Sequence, residues 1–142
     1  MQILIINGPN INILEKRNKK IYGNRGYDDL KELIETRARE LKVEVKIFQA
    51  NGEGEIIDFI HQEGFKSDGI IINAGAYSHY SYAIRDALEV LAIPKISVHI
   101  SNIHARESFR KRDIIAEVCT GSICGLGLDG YLLALEYLAG KI

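Results

Sequence analysis

The sequence predicts an α/β fold built on a mostly parallel sheet. Short apolar runs alternate with amphipathic stretches from end to end, and no low-complexity linker or internal repeat interrupts them. Two of the runs, "ILII" and "GIII", are apolar throughout, as strands are when helices cover both faces of a sheet. With 142 residues, 46% of them hydrophobic, the chain is expected to form one domain over residues 1–142. A chain of that length buries about two thirds of the surface it would expose unfolded.

The elements follow in order. Residues 2–6 read as the first strand, which breaks at Asn7 into an Asn-Gly-Pro-Asn loop. The next stretch, "EKRNKKIYGNRGY", reads as a basic loop. Asp29 and Glu32 make a capping box for a helix carrying Leu30, Leu33, Ile34, Ala38 and Leu41 at helical spacing. Residues 43–49 form the second strand. A second helix runs from Glu53 through Ile56, Ile57 and Ile60 to a stop at Gly64. Residues 69–73 form the third strand. The third helix carries Ala83, Ile84, Ala87, Leu88 and Leu91 and must end before Pro94. Strands at 95–100 and 117–123 and a helix in "GYLLALEYLAG" complete the series.

The second strand, "VEVKIF", alternates apolar and charged residues, which only an edge strand with one wet face can do. This selects the order 2-1-3-4-5, a flavodoxin-like three-layer sandwich with a five-stranded parallel sheet. Ligands of such sheets sit beyond the carboxyl ends of strands 1 and 3, where the winding reverses. Here those ends are residues 7–10 and Asn73.

Composition and motifs exclude several classes. Eighteen basic residues against nineteen acidic leave no global field for nucleic acid or an anionic membrane. No apolar run is long enough to span a bilayer and no secretory signal is recognisable, so the expected location is cytoplasmic. Cys119 and Cys124 match neither a zinc pair nor a disulfide framework and read as buried reduced thiols. A phosphorelay receiver would need carboxylates for a divalent cation where this chain has Asn7 and Asn73. "GLGLDG" matches G-x-G-x-x-G, but the following strand and acidic residue of a dinucleotide site have no room, and helix-on-sheet packing accounts for the glycines.

The chemistry collects in three places. Tyr22 lies among Lys16, Arg17, Lys19, Lys20 and Arg25; cations around a phenol, whose ordinary pKa is about 10, favour the phenolate and hence a general base. In "KISVHISNIHARESFR", period two puts Ser97, His99 and Ser101 on one side and Ile96, Val98 and Ile100 on the other. A lone strand histidine is usually a core residue, but Ser101, Asn102, Arg106 and Arg110 beside it suit a carboxylate ligand. The turn "NAGAYSHYSYAIRDA" adds Asn73, His79 and Ser78, the last a candidate helix cap; Tyr80 and Tyr82 suit packing or an interface. No histidine has carboxylate or thiolate companions at metal-ligand spacing.

These residues resemble those of type II 3-dehydroquinate dehydratases. The likeness runs through "NGPNINIL", Arg17 with Tyr22 and Gly23, "NAGAYSHYSYAIRDAL", "VHISNIHARESFR" and "TGSICGLGLDGYLLALEYL". It implies elimination of water from 3-dehydroquinate to give 3-dehydroshikimate through an enolate, without cofactor or metal, in the shikimate route. By the same likeness Tyr22 is the base, Arg17 on a lid holds the phenolate, Asn10 binds the enolate oxygen through a water, and His99 is the acid. Asn73, His79, Arg110 and the Ile100 and Ser101 backbone would hold ring hydroxyls and carboxylate. Asp86 would reach in from a neighbouring subunit of a homo-oligomer, a dodecamer of trimers. Two positions depart from the family. Ser97 stands where a glutamate usually precedes the histidine, and Asn18-Lys19 replaces the usual Glu-Pro of the lid, implying a looser one. A non-catalytic binder of small hydroxy acids would use the same crevice with a disabled base; product absorbance separates the two.

Overall fold

The computed structural model describes residues 1–140. Five parallel strands form one sheet in the order 2-1-3-4-5, as the wet second strand requires. They are β1 (Gln2–Asn7), β2 (Glu44–Gln49), β3 (Gly69–Asn73), β4 (Lys95–His99) and β5 (Gly121–Cys124). The helices are α1 (Lys19–Tyr22), α2 (Tyr27–Leu41), α3 (Glu53–Glu63), α4 (Tyr82–Glu89) and α5 (Asp129–Leu138).

Strand alternation divides the core between the two faces of the sheet. Ile3, Ile5, Ile71, Ile96 and Val98 pack with Leu30, Ile34 and Ala38 of α2 and with Tyr131, Ala134 and Leu135 of α5. Leu4, Ile6, Ile70 and Ile72 pack on the other side with Ile56, Phe59 and Ile60 of α3 and Ile84 and Leu88 of α4. Fully burying one such aliphatic side chain contributes about 1.5 to 3 kcal/mol, so β1 and β3, apolar on both faces, anchor the fold. β2, at the edge, is buried on neither face throughout.

Several boundaries differ from the sequence reading for identifiable reasons. α2 starts at Tyr27, two residues before Asp29: Gly26 occupies the N-cap and Asp29, at the third helical position, accepts its N–H at 2.8 Å. β5 begins at Gly121 and not at residue 117, because Asp113 Oδ1 accepts the Ala116 N–H at 3.0 Å and holds 116–118 as a 3₁₀ turn. α4 is capped by Ser81, whose Oγ accepts the Ile84 N–H at 3.1 Å, and not by Ser78, which is buried with its Oγ unpaired. Cys119 and Cys124 are free and half-buried rather than buried. In "GLGLDG", only Gly130 lies against the sheet as helix packing would have it, 3.4 Å from Val98 and Ile123 for an added Cβ; Gly125 and Gly127 serve a turn at φ +85° and +60°.

The carboxyl ends of β1 and β3 are held unusually close. Asn7 pairs with Asn73 across the sheet, and the Gly8 N–H donates to the Asn73 carbonyl at 2.7 Å. Below them, the buried Asn73 amide donates to Tyr131 Oη at 2.9 Å, and that hydroxyl donates to Asn7 Oδ1 at 2.7 Å. A Cβ on Gly8 would fall 2.4 Å from the Ala74 carbonyl oxygen. Gly8→Ala is therefore expected to destabilise the protein by about 2 kcal/mol by forcing two loops apart, as overpacking does. Denaturant unfolding checks this, and wild-type stability would contradict the close approach.

Candidate active site

The crevice lies where the sheet topology puts it, beyond the carboxyl ends of β1, β3 and β4. It is a cavity of about 120 Å³ lined by Asn10, Arg17, Tyr22, Asn73, His79, His99, Ile100, Ser101, Arg106 and Arg110, among others. A wider surface cavity of about 530 Å³ shares Tyr22, Ile100, Ser101 and Arg106 but includes neither histidine, nor Arg17, nor Asn10. The smaller one therefore holds the convergent polar groups that mark a reaction site.

Tyr22 ends α1 and is nearly buried, at 9% exposure. Its oxygen accepts from two guanidinium groups: Arg17 Nη2 at 2.5 Å and Arg106 Nη1 at 2.6 Å. Both donors are cationic, so the phenol oxygen takes two short charge-assisted hydrogen bonds. Arg17 also lies over the phenol ring, 3.8 Å from its centroid. Burial pulls the Arg17 guanidinium below its usual value; Tyr22 opposes this, while the nearby Arg106 and Arg110 charges reinforce it. The stretch read as a basic loop is thus an ordered helical turn, with Asn18 Oδ1 accepting the Lys20 N–H at 3.0 Å as its cap.

His99 is the last residue of β4 and is buried. Its Nε2 meets Asp113 Oδ2 at 2.8 Å, and Ser97 Oγ donates to the same oxygen at 2.7 Å. Burial pushes the Asp113 carboxyl up, but the hydrogen bond and charge of His99, with the Ser97 hydroxyl and the Ala116 N–H, outweigh it and hold the group below its usual range. The His79 ring stacks nearly parallel to that of His99, with centroids 6.0 Å apart, and its Nδ1 lies 2.8 Å from the Arg112 carbonyl. Burial chiefly holds His79 below its ordinary value, with His99 and Arg110 adding repulsion and the Arg112 carbonyl opposing.

The remaining expected residues divide. Asn10 has a left-handed backbone at φ 70°, and its N–H donates to Asn51 Oδ1 at 3.2 Å. Asn73 reaches the crevice but already spends one amide hydrogen on Tyr131 and its carbonyl on the Gly75 N–H. Ser101 Oγ accepts from Arg106 at 3.2 Å, and Arg110 donates to Glu107 at 2.8 Å. Asp86 is not part of this crevice: it lies exposed on α4 beside Arg85, 3.3 Å away. Two contacts in the crevice are not readable from the sequence. Arg106 was placed with the carboxylate-binding group, although it touches Tyr22; Asp113 carried no signal, since no periodicity links it to a histidine in another element. Among the described residues, no group of three or more His, Cys, Asp or Glu could hold a metal ion, and no helix is long and apolar enough to cross a membrane.

Fold and site together define a small flavodoxin-like protein whose crevice gathers a phenol, two imidazoles and three guanidinium groups. The family described as Dehydroquinase class II matches residues 1–139, and the chain belongs to it. A Thermotoga petrophila protein named 3-dehydroquinate dehydratase is 58% identical over 142 residues, covering 100% of this chain and 97% of its own length. One of the same name from Lachnoclostridium phytofermentans is 59% identical over 138 residues, covering 96% and 94%. The crystal structure of type II dehydroquinase from Butyrivibrio crossotus superposes with a TM-score of 0.95 at 51% identity, covering 97% of each chain.

The lowered His79 value has a consequence for stability. Between that value and about 6.5, the unfolded chain binds more protons than the folded one, so stability rises with pH through this window and is lost as pH falls into it. His79→Asn should flatten the fall in Tm between pH 7 and 5; an unchanged slope would assign that fall to other groups.

Proposed function

We infer that the protein is a 3-dehydroquinate dehydratase, a hydro-lyase that converts 3-dehydroquinate into 3-dehydroshikimate in the shikimate route. The observation that carries the reading is the Tyr22 oxygen held by Arg17 and Arg106 in the crevice that His99 also lines. Family membership and the two named relatives support the same reaction.

The geometry supports the following division of roles. Tyr22, as phenolate, takes a proton from the carbon beside the substrate ketone, and the electron pair moves onto the ketone oxygen to give an enolate. Arg17 and Arg106 stabilise the phenolate before that transfer. Asn10 is assigned to the enolate oxygen through a water, where a neutral amide suits a group that is neutral in the ketone and negative in the intermediate. The enolate pair then returns, the carbon–oxygen bond to the departing hydroxyl breaks, and His99 gives that hydroxyl its proton, so water leaves. Return of the Tyr22 proton to His99 resets the site. Arg110, Asn73, His79 and the Ile100 and Ser101 backbone are assigned to the carboxylate and ring hydroxyls.

Beyond the reaction, we propose a cytoplasmic homododecamer built of trimers, with Asp86 entering a neighbour's crevice. Tyr80, Tyr82 and Val90, at 60%, 57% and 63% exposure, present an apolar surface around Asp86 that supports such an interface. Light scattering should return about twelve times the 15.9 kDa chain mass, and a monomer would refute the assembly.

Purified protein should convert 3-dehydroquinate with the rise in absorbance of the conjugated product, at a rate unaffected by chelator. No turnover would refute the activity. Tyr22→Phe and His99→Ala should each lower kcat by about 10²- to 10⁴-fold, the usual contribution of a general base or acid, with KM little changed. Wild-type turnover in either would remove that residue from its role.

A further inference from the structure

We propose that Asp113 is the positioning residue of the acid histidine, supplying from the segment before β5 the carboxylate that fixes the orientation and tautomer of the His99 ring. The inference rests on the dehydratase reading for its catalytic consequence, but its geometry stands alone. Asp113 and His99 are both buried, with side chains 8% and 7% exposed, so water does not compete for their 2.8 Å contact.

Each Asp113 oxygen has a separate task. Oδ1 accepts the Ala116 N–H and shapes the turn, which alone would be a purely structural reason for the residue. Oδ2 faces the other way and is shared by His99 Nε2 and the Ser97 hydroxyl. Ser97 lies two residues before His99 on β4, on the same face, so its hydroxyl and the imidazole reach the same carboxylate oxygen. With Nε2 committed to Asp113, Nδ1 is the ring nitrogen left for the crevice that His99 lines. The proton delivered to the departing hydroxyl therefore comes from Nδ1, and the neutral ring that remains keeps Nε2–H on the carboxylate. This is the logic by which a buried aspartate sets the tautomer of a catalytic histidine in other acid–base sites.

The same geometry makes the carboxylate portable. Ser97 Oγ and His99 Nε2 both touch Asp113 Oδ2, so a longer acidic side chain at position 97 would place its oxygens near the spot that Asp113 now fills. His79, stacked on His99, instead gives its Nδ1 to the Arg112 carbonyl and has no carboxylate of its own, which singles out His99 as the imidazole that Asp113 serves.

Asp113→Asn keeps the shape and the Oδ1 contact and removes the charge. It should lower kcat by about 10- to 100-fold, typical of losing the partner that orients an active group, with KM changed by less than about threefold. The double variant Ser97→Glu/Asp113→Ser should recover most of that loss. Independently of turnover, proton NMR of the wild type should show a low-field imidazole N–H resonance that disappears in Asp113→Ser and His99→Ala. If Asp113→Asn does not fold, the double variant and the wild-type spectrum still decide. Unchanged kcat in Asp113→Asn, no recovery in the double variant, or no low-field resonance in the wild type would each overturn the proposal. A wild type that shows the resonance but no dehydration would instead refute the dehydratase reading alone.

Discussion

Three guanidinium groups, those of Arg17, Arg106 and Arg110, crowd one crevice, and like charges so close are tolerated only around something negative. The Tyr22 oxygen accepts a hydrogen bond from two of them. The Glu107 carboxylate, 2.8 Å from Arg110 and 3.8 Å from Arg106, supplies negative charge from within the chain. The remainder of the site follows from this constraint. Its polar neutral groups, Asn10, Asn73 and Ser101, sit where further charge would be redundant, and its one buried carboxylate, Asp113, is turned away from the arginines toward His99. Positive charge thus gathers at the phenol and ligand side, and a compensated imidazole stands across from it.

The sheet makes this arrangement possible by bringing distant segments to one edge. Tyr22 follows β1, His79 follows β3, and His99 and Arg106 end or follow β4, so parallel strands deliver all of them to the carboxyl side. The Asn7–Tyr131–Asn73 chain and the Gly8 contact with Ala74 fix the two central strand ends against each other. Buried polar groups of that kind are costly when unpaired, and the two hydrogen bonds through Tyr131 tie the floor of the crevice together, although the Asn7 amide nitrogen finds no partner.

Much of this was legible in the sequence. The fully apolar runs marked β1 and β3 as central, the alternation in "VEVKIF" put β2 at the edge, and period two separated His99 and Ser97 from Ile96 and Val98, which lie together in the α2–α5 core. What escaped reading depended on contacts between elements. The residues around 117 look like strand until the Asp113 carboxylate takes the Ala116 N–H, and Arg106 looks like a carboxylate binder until Tyr22 arrives 84 residues away in sequence. Ser97, in place of a glutamate, left the environment of His99 open, because the compensating acid comes from a segment whose position only the folded chain defines.

The short helix that carries Tyr22 has one further implication. Arg17 precedes the phenol by five residues on the same segment, whereas Arg106 belongs to the body that follows β4. Any excursion of residues 17–22 would take one cation along and leave the other behind, so the phenol meets both only when the segment is seated. Seating the segment and completing the pair of hydrogen bonds are thus one event: the Tyr22 oxygen meets both guanidinium groups only when residues 17–22 close that side of the crevice.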